Sequence, residues 1–477
     1  MNTDKIFLRI ISLLVLLVLS TAGRAAAPKP NIIIINVDDL GWSDLGCYGS
    51  DYYETKHIDR LAREGVRFTK AYAAAAICSP TRAALLTGKY PARVGITDWI
   101  RAEFQGGVVP PSGKNPTEYV TQAGKSLKTP PNPLFMELAQ MTSAEYLQKQ
   151  GYATCHVGKW HLGPEQWYPT SQGFNINIAG SDLGQPPSYF DPYVNNNKGK
   201  SYNIPTLAPR KEGEFLTDRL GDEVVTFVQQ HAGKPFFISW NPYAVHTPIQ
   251  GKKEYIEKYR QKQGGNHKNP VYAALIQSLD DNVGKLVRCL DSLKLTQNTL
   301  LIFTSDNGGL LPITSNLPLR SGKGYPYEGG LRVPLIVKWP GVAKAGSLID
   351  EPTISMDVFA TVMDAAGVGK TSSDGLSLLP LLRNANQHFN RDLFWHFPHY
   401  RETDVVPYSI IRSGNYKLIK YYDGTKNELY NLAKDPTEKT NLYETSNKEA
   451  NRLESSLSNW LKKVNAKIPE NTTAKRQ

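Results

Sequence analysis

Cysteine is scarce in this chain: Cys47, Cys78, Cys155 and Cys289 are the only four in 477 residues. So few exclude the disulfide framework that holds small secreted scaffolds together. Cys155 and Cys289 sit in apolar surroundings and read as small buried hydrophobes. If Cys78 is chemically used, three remain, so at least one stays unpaired. No dense Lys/Arg tract lies beside aromatic residues, which argues against a nucleic-acid surface despite a net charge of +11. That basic balance favours anionic partners in general, a sulfated polysaccharide among them. Repeats at solenoid or propeller periods are absent, as are low-complexity segments. With 40% hydrophobic and 21% charged residues, the composition is that of an ordinary globular protein. The length accommodates one large domain and a smaller one.

Long apolar runs are lacking too. Lys5 and Arg9 supply positive charge, Ile10 to Leu19 is apolar, and the small residues Ala25-Ala26-Ala27 follow. This order predicts a signal peptide over 1–27, cleaved near Ala27, and a mature chain that is periplasmic or secreted. The run falls short of the roughly 20 residues that span a bilayer, and no cysteine lies near the cleavage region. A stable membrane anchor is therefore not expected.

What the chain does have is a recurring pattern of an apolar run followed at once by polar residues. Ile32 to Val37 runs into Asp38-Asp39, and Leu300 to Thr304 into Asp306-Asn307-Gly308-Gly309. Pro235 to Trp240 leads to His246, and Tyr152 to Val157 to Gly158-Lys159-Trp160-His161; Val333 to Val337 follows Lys323 and Glu328-Gly329-Gly330. Such near-continuous runs are typical of parallel strands covered on both faces. Helical patterns separate them at Ile58–Glu64, Ser143–Gln150, Phe215–Gln230 and Val271–Leu293. The expectation is an α/β fold, a large mostly parallel β-sheet sandwiched by helices. Ligands bind outside the carboxyl ends of such strands, so clusters distant in sequence can converge there. Beyond about residue 385 short half-exposed strands take over (Tyr408–Ile411, Tyr416–Lys420, Glu428–Asn431), then an amphipathic helix over Lys448–Lys463. The domains read as 28–385, catalytic, and 386–477, a smaller C-terminal α+β domain with an antiparallel sheet and a covering helix. The stretches 100–135 and 181–210 lack periodicity and read as substrate-facing loops.

Adjacent carboxylates at Asp38-Asp39 repel and need a cation or full solvation. Together with Asp306-Asn307 they offer hard oxygen donors suited to calcium or magnesium rather than zinc. The strongest signal is Cys78-Ser79-Pro80-Thr81-Arg82-Ala83-Ala84-Leu85-Leu86-Thr87-Gly88. Pro80 suits the first turn of a helix, which sets Cys78 at an N-terminus where free N–H groups favour anions. Arg82, one turn along, can reach the same anion.

That segment resembles the signature of the formylglycine-dependent (type I) sulfatases, arylsulfatase-like members of the alkaline phosphatase superfamily. Gly151 to His161 is similar to the family's second signature, and Asp38-Asp39, Asp306 to Gly309, Gly322-Lys323-Gly324 and Glu428 to Asp435-Pro436 follow in family order. The resemblance spans about residues 29 to 465. It implies an arylsulfatase-like sulfuric ester hydrolase. Cys78 would be oxidised to formylglycine by a separate formylglycine-generating maturation enzyme. One calcium ion per chain would be held by Asp38, Asp39, Asp306 and Asn307 and would touch residue 78. Arg82 would fix the hydrated aldehyde, and Lys159 and Lys323 would bind sulfate oxygens. His161 would act as base on the hydrate, and His246 would bind substrate and help protonate the leaving oxygen.

The chemistry accounts for that set. A sulfate ester is anionic and leaves a poor alkoxide, so cations at its oxygens, a metal-activated hydroxyl and a positioned acid are all needed. The natural substrate is expected to be a sulfated carbohydrate, from a glycosaminoglycan or an algal polysaccharide, with Trp99, Arg101, Tyr189 and Tyr193 as candidate sugar contacts. His57, His396 and His399 match no motif, although the last two could reach over the site. Two alternatives stand beside this: a formylglycine-dependent phosphonate or phosphate ester hydrolase, and a non-catalytic sulfated-glycan-binding protein whose Cys78 is never converted.

Overall fold

A computed structural model describes residues 28–197, 200–401 and 404–472. The expected signal peptide lies outside the described residues. Nine strands build the main sheet: β1 (Asn31–Val37), β2 (Val66–Tyr72), β3 (Ala153–Gly158), β4 (Ile176–Ile178), β5 (Phe236–Asn241), β6 (Thr299–Ser305), β7 (Arg332–Lys338), β8 (Ser347–Ile349) and β9 (Thr353–Ile354). Their order is β8-β2-β7-β6-β1-β5-β3-β4, with β9 also on β2. β1 sits in the middle, parallel to β6 on one side and β5 on the other.

Alternation along β1 shows why the sheet needs two covers. Ile33, Ile35 and Val37 enter one apolar cluster, Ile32 and Ile34 the other, and all are at most 2% exposed. The first cluster is closed by α1 (Lys56–Glu64), α4 (Leu216–Gln230) and α5 (Pro270–Ser292), the second by α2 (Cys78–Thr87), α3 (Ser143–Lys149) and α6 (Ser355–Ala365). Proline at the first position of α5 and the Asn269 side chain accepting from the Val271 and Tyr272 N–H groups start that helix.

The sandwich matches expectation, but one strand direction differs. β7 runs antiparallel to both β6 and β2. A continuous apolar run reports burial on both faces and carries no information on direction. The half-buried β2 was not singled out in the sequence because Arg67, Thr69 and Lys70 interrupt its apolar residues. Within 100–135, two short strands (Val120–Thr121, Leu127–Thr129) appear, and Glu470–Asn471 pairs with the second.

The C-terminal part forms an antiparallel four-stranded sheet, β10 (Leu393–Phe397), β11 (Tyr408–Ser413), β12 (Tyr416–Tyr421) and β13 (Glu428–Asn431), in sequence order. Leu453 and Leu457 of α7 (Asn447–Lys463) close it, and the same cluster includes Tyr72, Ile77 and Leu331 of the main body. Lys417 is buried there between Glu328 (3.1 Å) and Glu438 (2.7 Å), an ion triad that joins β12 to the start of β7. No helix among the described residues is long and apolar enough to cross a membrane.

Candidate active site

β1, β3, β5 and β6 all present their carboxyl ends at one edge of the sheet, and antiparallel β7 begins there. Asp38 and Asp39 follow β1, Asp306 and Asn307 follow β6, Lys159 and His161 follow β3, and His246 follows β5. Asp39 and His161 hold left-handed backbone, φ 61° and 60°, a cost that surrounding packing must maintain. Gly308 has no room for a side chain, since a Cβ there would lie 1.8 Å from the Gly329 carbonyl oxygen. That approach lets the Lys323 loop press against the end of β6.

Cys78 is the first residue of α2, whose ten residues are all buried. Its Sγ lies 3.8 Å from Asp38 Oδ1. Arg82, four residues on, returns to the same place: Nε and Nη2 reach Asp306 Oδ2 at 2.9 and 2.7 Å, and Nη2 stands 3.5 Å from Asp38. Lys159 Nζ donates to both Asp38 oxygens at 2.9 Å. Lys323 Nζ lies 2.6 and 2.7 Å from the two oxygens of Asp39 and 3.0 Å from His246 Nε2. The fold thus brings Asp38, Asp39, Cys78, Arg82, Lys159, His246, Asp306, Asn307 and Lys323 into one contact network. Three carboxylates meet three cations, and all six side chains are at most 10% exposed.

Burial sets the proton affinities, with neighbours correcting it. Desolvation lifts the Asp38 carboxyl to about 7 against the pull of Lys159. For Asp39 the Lys323 ammonium and His246 outweigh burial and hold it well below the usual range. Burial pushes the Cys78 thiol up to about 11, so the unmodified residue is a neutral thiol and a weak nucleophile. Burial, then Lys323, brings His246 down to about 3, and burial holds His161 well below its ordinary value. Both imidazoles are neutral. His161 Nε2 faces the Ile100 carbonyl at 2.7 Å and must donate, which leaves Nδ1, buried and unpartnered, as a free base. His246 Nδ1 faces the Thr247 carbonyl at 2.9 Å and donates, so Nε2 accepts from Lys323. The proton of this pair therefore sits on Lys323, and the Asp39 carboxylate, outweighing burial, holds it there well above the usual lysine range.

A cluster able to hold a metal ion lies here. Oxygens of Asp38 and Asp39, Cys78 Sγ and a His246 ring nitrogen all lie within 4.8 Å of one another. Asn307 Nδ2 donates to Asp39 Oδ1 at 2.8 Å, which turns Oδ1 away as a buried acceptor with no hydrogen-bond partner. A buried amide oxygen without a partner costs roughly 1–3 kcal/mol, and a cation would remove that cost.

A cavity of about 170 Å³ opens onto Cys78, His161, His246 and Lys323, with Trp99 and Arg401 among its walls. Trp99, a candidate sugar contact, lines this cavity, with Arg101 stacked 4.7 Å over its ring. Tyr189 and Tyr193 are corrections: they are 0% and 1% exposed and cannot touch a sugar. Tyr189 instead donates to the Tyr243 and His246 carbonyls, bracing the loop that carries His246. His396 and His399 are buried and do not line the cavity; they bond Ser409 and Thr97. Asn241, whose Oδ1 accepts from Arg82, and Arg401 were missed, since neither belongs to a local pattern.

Comparison with known proteins is consistent across the chain. A family model described as Sulfatase matches residues 30–368, and one described as N-sulphoglucosamine sulphohydrolase, C-terminal, matches 322–467. The chain is 32% identical to a protein named Sulfatase from Formosa agariphila, over 94% of this chain and 92% of that one. It is 35% identical to the N-acetylgalactosamine-6-sulfatase of Mus musculus, over 80% and 72%. Among solved structures, Ps i-CgsB in complex with k-i-k-neocarrahexaose superposes with TM-score 0.74 at 28% identity, covering 91% of this chain and 92% of that one. The phosphonate monoester hydrolase of Agrobacterium radiobacter shares the fold, TM-score 0.64 at 20% identity, covering 93% and 97%.

Proposed function

Starting from the fact that the chain belongs to the sulfatase family of the alkaline phosphatase superfamily and is a sulfuric ester hydrolase, we propose that it is exported and desulfates a carbohydrate. The reaction would use formylglycine made from Cys78 and one calcium ion. The name N-acetylgalactosamine-6-sulfatase among its relatives supports the substrate class, and Lys323 and Arg401 on the pocket wall agree with an anionic substrate. The division into a catalytic domain, 28–385, and a C-terminal domain, 386–477, is part of the proposal, supported by a separate sheet that begins at Leu393.

The observation that carries this reading is the pairing of a thiol that is a poor nucleophile with a built, oxygen-lined anion and cation site around it. Asp38, Asp39, Asp306 and Asn307 would hold the calcium. Calcium would supply Lewis acidity, and formylglycine hydrate a second hydroxyl that a serine lacks. The chain's own residues do the rest. Lys159 and Lys323 meet the sulfate oxygens, where charge spreads in the transition state. Arg82, locked by Asp306 and Asn241, orients residue 78. His161 Nδ1 takes a proton from residue 78. His246 is assigned to help protonate the departing sugar oxygen, a step typically worth about 10²–10⁴-fold.

Aryl sulfate, aryl phosphate and aryl phosphonate esters assayed side by side, with and without chelator, test it. The proposal expects the sulfate ester to be preferred and chelation to abolish turnover until calcium is restored. Preference for phosphate or phosphonate, or full activity under chelation, would redirect it.

A further inference from the structure

We infer that the pocket accepts a second anionic group of the substrate, a sulfate or a carboxylate near the scissile ester, and that the Arg401 guanidinium reads it. The inference deepens the sulfatase reading and rests on it.

The first observation is what Arg401 lacks. Each cation of the reacting centre already has a role: Arg82 is held by Asp306, and Lys159 and Lys323, paired with Asp38 and Asp39, are the ammoniums assigned to the scissile sulfate. Arg401 lines the same cavity, yet its Nη1 is buried with no hydrogen-bond partner among the described residues. A guanidinium has five donors and no acceptor, so such an atom waits for an oxygen. Among the described residues, the carboxylate it acts on is that of Asp98, 5% exposed, whose Oδ1 is also unpartnered; Arg101 acts on Asp98 as well and stacks on Trp99. Asp98 therefore does not occupy the free Nη1.

The second observation is how Arg401 is placed. Gly324, at φ 88°, leaves a space that Arg401 fills: a Cβ there would lie 2.9 Å from both Arg401 Cζ and Nη1. Gly324 N–H donates to the Ala76 carbonyl at 2.7 Å, which fixes this turn beside Cys78. The guanidinium thus rests on the backbone of the residue after Lys323, and both side chains line the same cavity. A neutral hydroxyl gains little from such a group. A planar two-oxygen anion gains a charge-assisted, bidentate bond. Trp99, on the wall of the same cavity, offers an apolar face for the sugar between them.

The test compares kcat/KM for three versions of one sulfated sugar: with no further charge, with a second sulfate, and with a carboxylate, using an aryl sulfate to establish turnover. The wild-type enzyme should prefer a doubly charged version by about 10- to 100-fold, chiefly through KM, and which one it prefers identifies the anion. Arg401→Gln should collapse that ratio toward one, and Arg401→Lys should retain part of it. The inference is overturned if wild type shows no preference, or if Arg401→Gln lowers every version equally with the ratio intact, as a structural role would. The wild-type ratio stands even if a variant does not fold. If wild type turns over no sulfate ester at all, the sulfatase reading fails first and takes this one with it.

Discussion

Lys159→Met separates the ion pair that Lys159 makes with Asp38 from the sulfate-binding role proposed for it. Lys159 is fully buried, with Nζ 2.9 Å from each Asp38 oxygen. At an effective dielectric of about 20, one such contact amounts to about 6 kcal/mol before desolvation is charged against it. The net loss on removing one partner of a buried pair is about 3–5 kcal/mol. Arg82, 3.5 Å from Asp38, cannot compensate because Asp306 already holds it. In chelator, urea unfolding of the variant should therefore fall short of wild type by about 3–5 kcal/mol. Calcium at about 100 times its dissociation constant should add roughly 2.7 kcal/mol to either protein, which by itself leaves the gap unchanged. At one fixed calcium concentration the gap should narrow, because a divalent ion neutralises the stranded Asp38 and so favours the variant more than wild type. Sulfate ester turnover should stay lowered by about 10²–10³-fold even with saturating calcium, because the proposed mechanism also assigns Lys159 to the sulfate oxygens. An equal stability gap with and without calcium would refute the idea that Asp38 serves both the lysine and the metal.

Asn307→Leu removes the buried acceptor and the donor to Asp39; calcium affinity by titration calorimetry should drop about 10- to 100-fold, and an unchanged affinity would count against Asn307 as a ligand. Lys417→Ala strands Glu328 and Glu438 in the interface beneath the C-terminal sheet and should cost about 3–5 kcal/mol in denaturant unfolding, while Lys417→Met should cost no less unless both glutamates take up protons. His399 is held down to about 3, mainly by burial and then by Arg101. With a depressed folded pKa, its stability contribution is full above about 6.5 and declines as pH falls toward 3, because the unfolded chain takes the proton first. The loss is about 2 kcal/mol at pH 5. His399→Gln should flatten the wild-type stability profile by that amount between pH 7.5 and 5; identical profiles would contradict the assignment.

Much of the site was legible because its residues sit where apolar strands end. Burial on both faces forces continuous apolar runs, and the first polar residue after each run is carried to the sheet's edge. Asp38, Asp306 and Lys159 are positioned by that rule alone. Cys78 and Arg82 were legible from helix spacing, four residues apart on one face. The direction of β7 was not, because pleat and burial read the same either way. Tyr189 and Tyr193 misled because an aromatic in a loop without periodicity looks exposed, whereas Tyr189 braces the His246 loop from inside and Tyr193 is buried with its hydroxyl on Glu214. Arg401 gave no local signal at all. Its place depends on the fold-back of the C-terminal sheet onto Ile77 and Tyr72, a long-range packing event that a linear pattern does not encode.

Everything proposed for catalysis turns on what residue 78 is in the active protein. Peptide mass spectrometry on preparations made with and without a formylglycine-generating enzyme, each assayed on an aryl sulfate, measures it directly. Conversion should lower the mass of the Cys78 peptide by about 18 Da, and activity should rise in proportion to the converted fraction. Full activity in a preparation whose Cys78 is wholly an unmodified thiol would contradict the account.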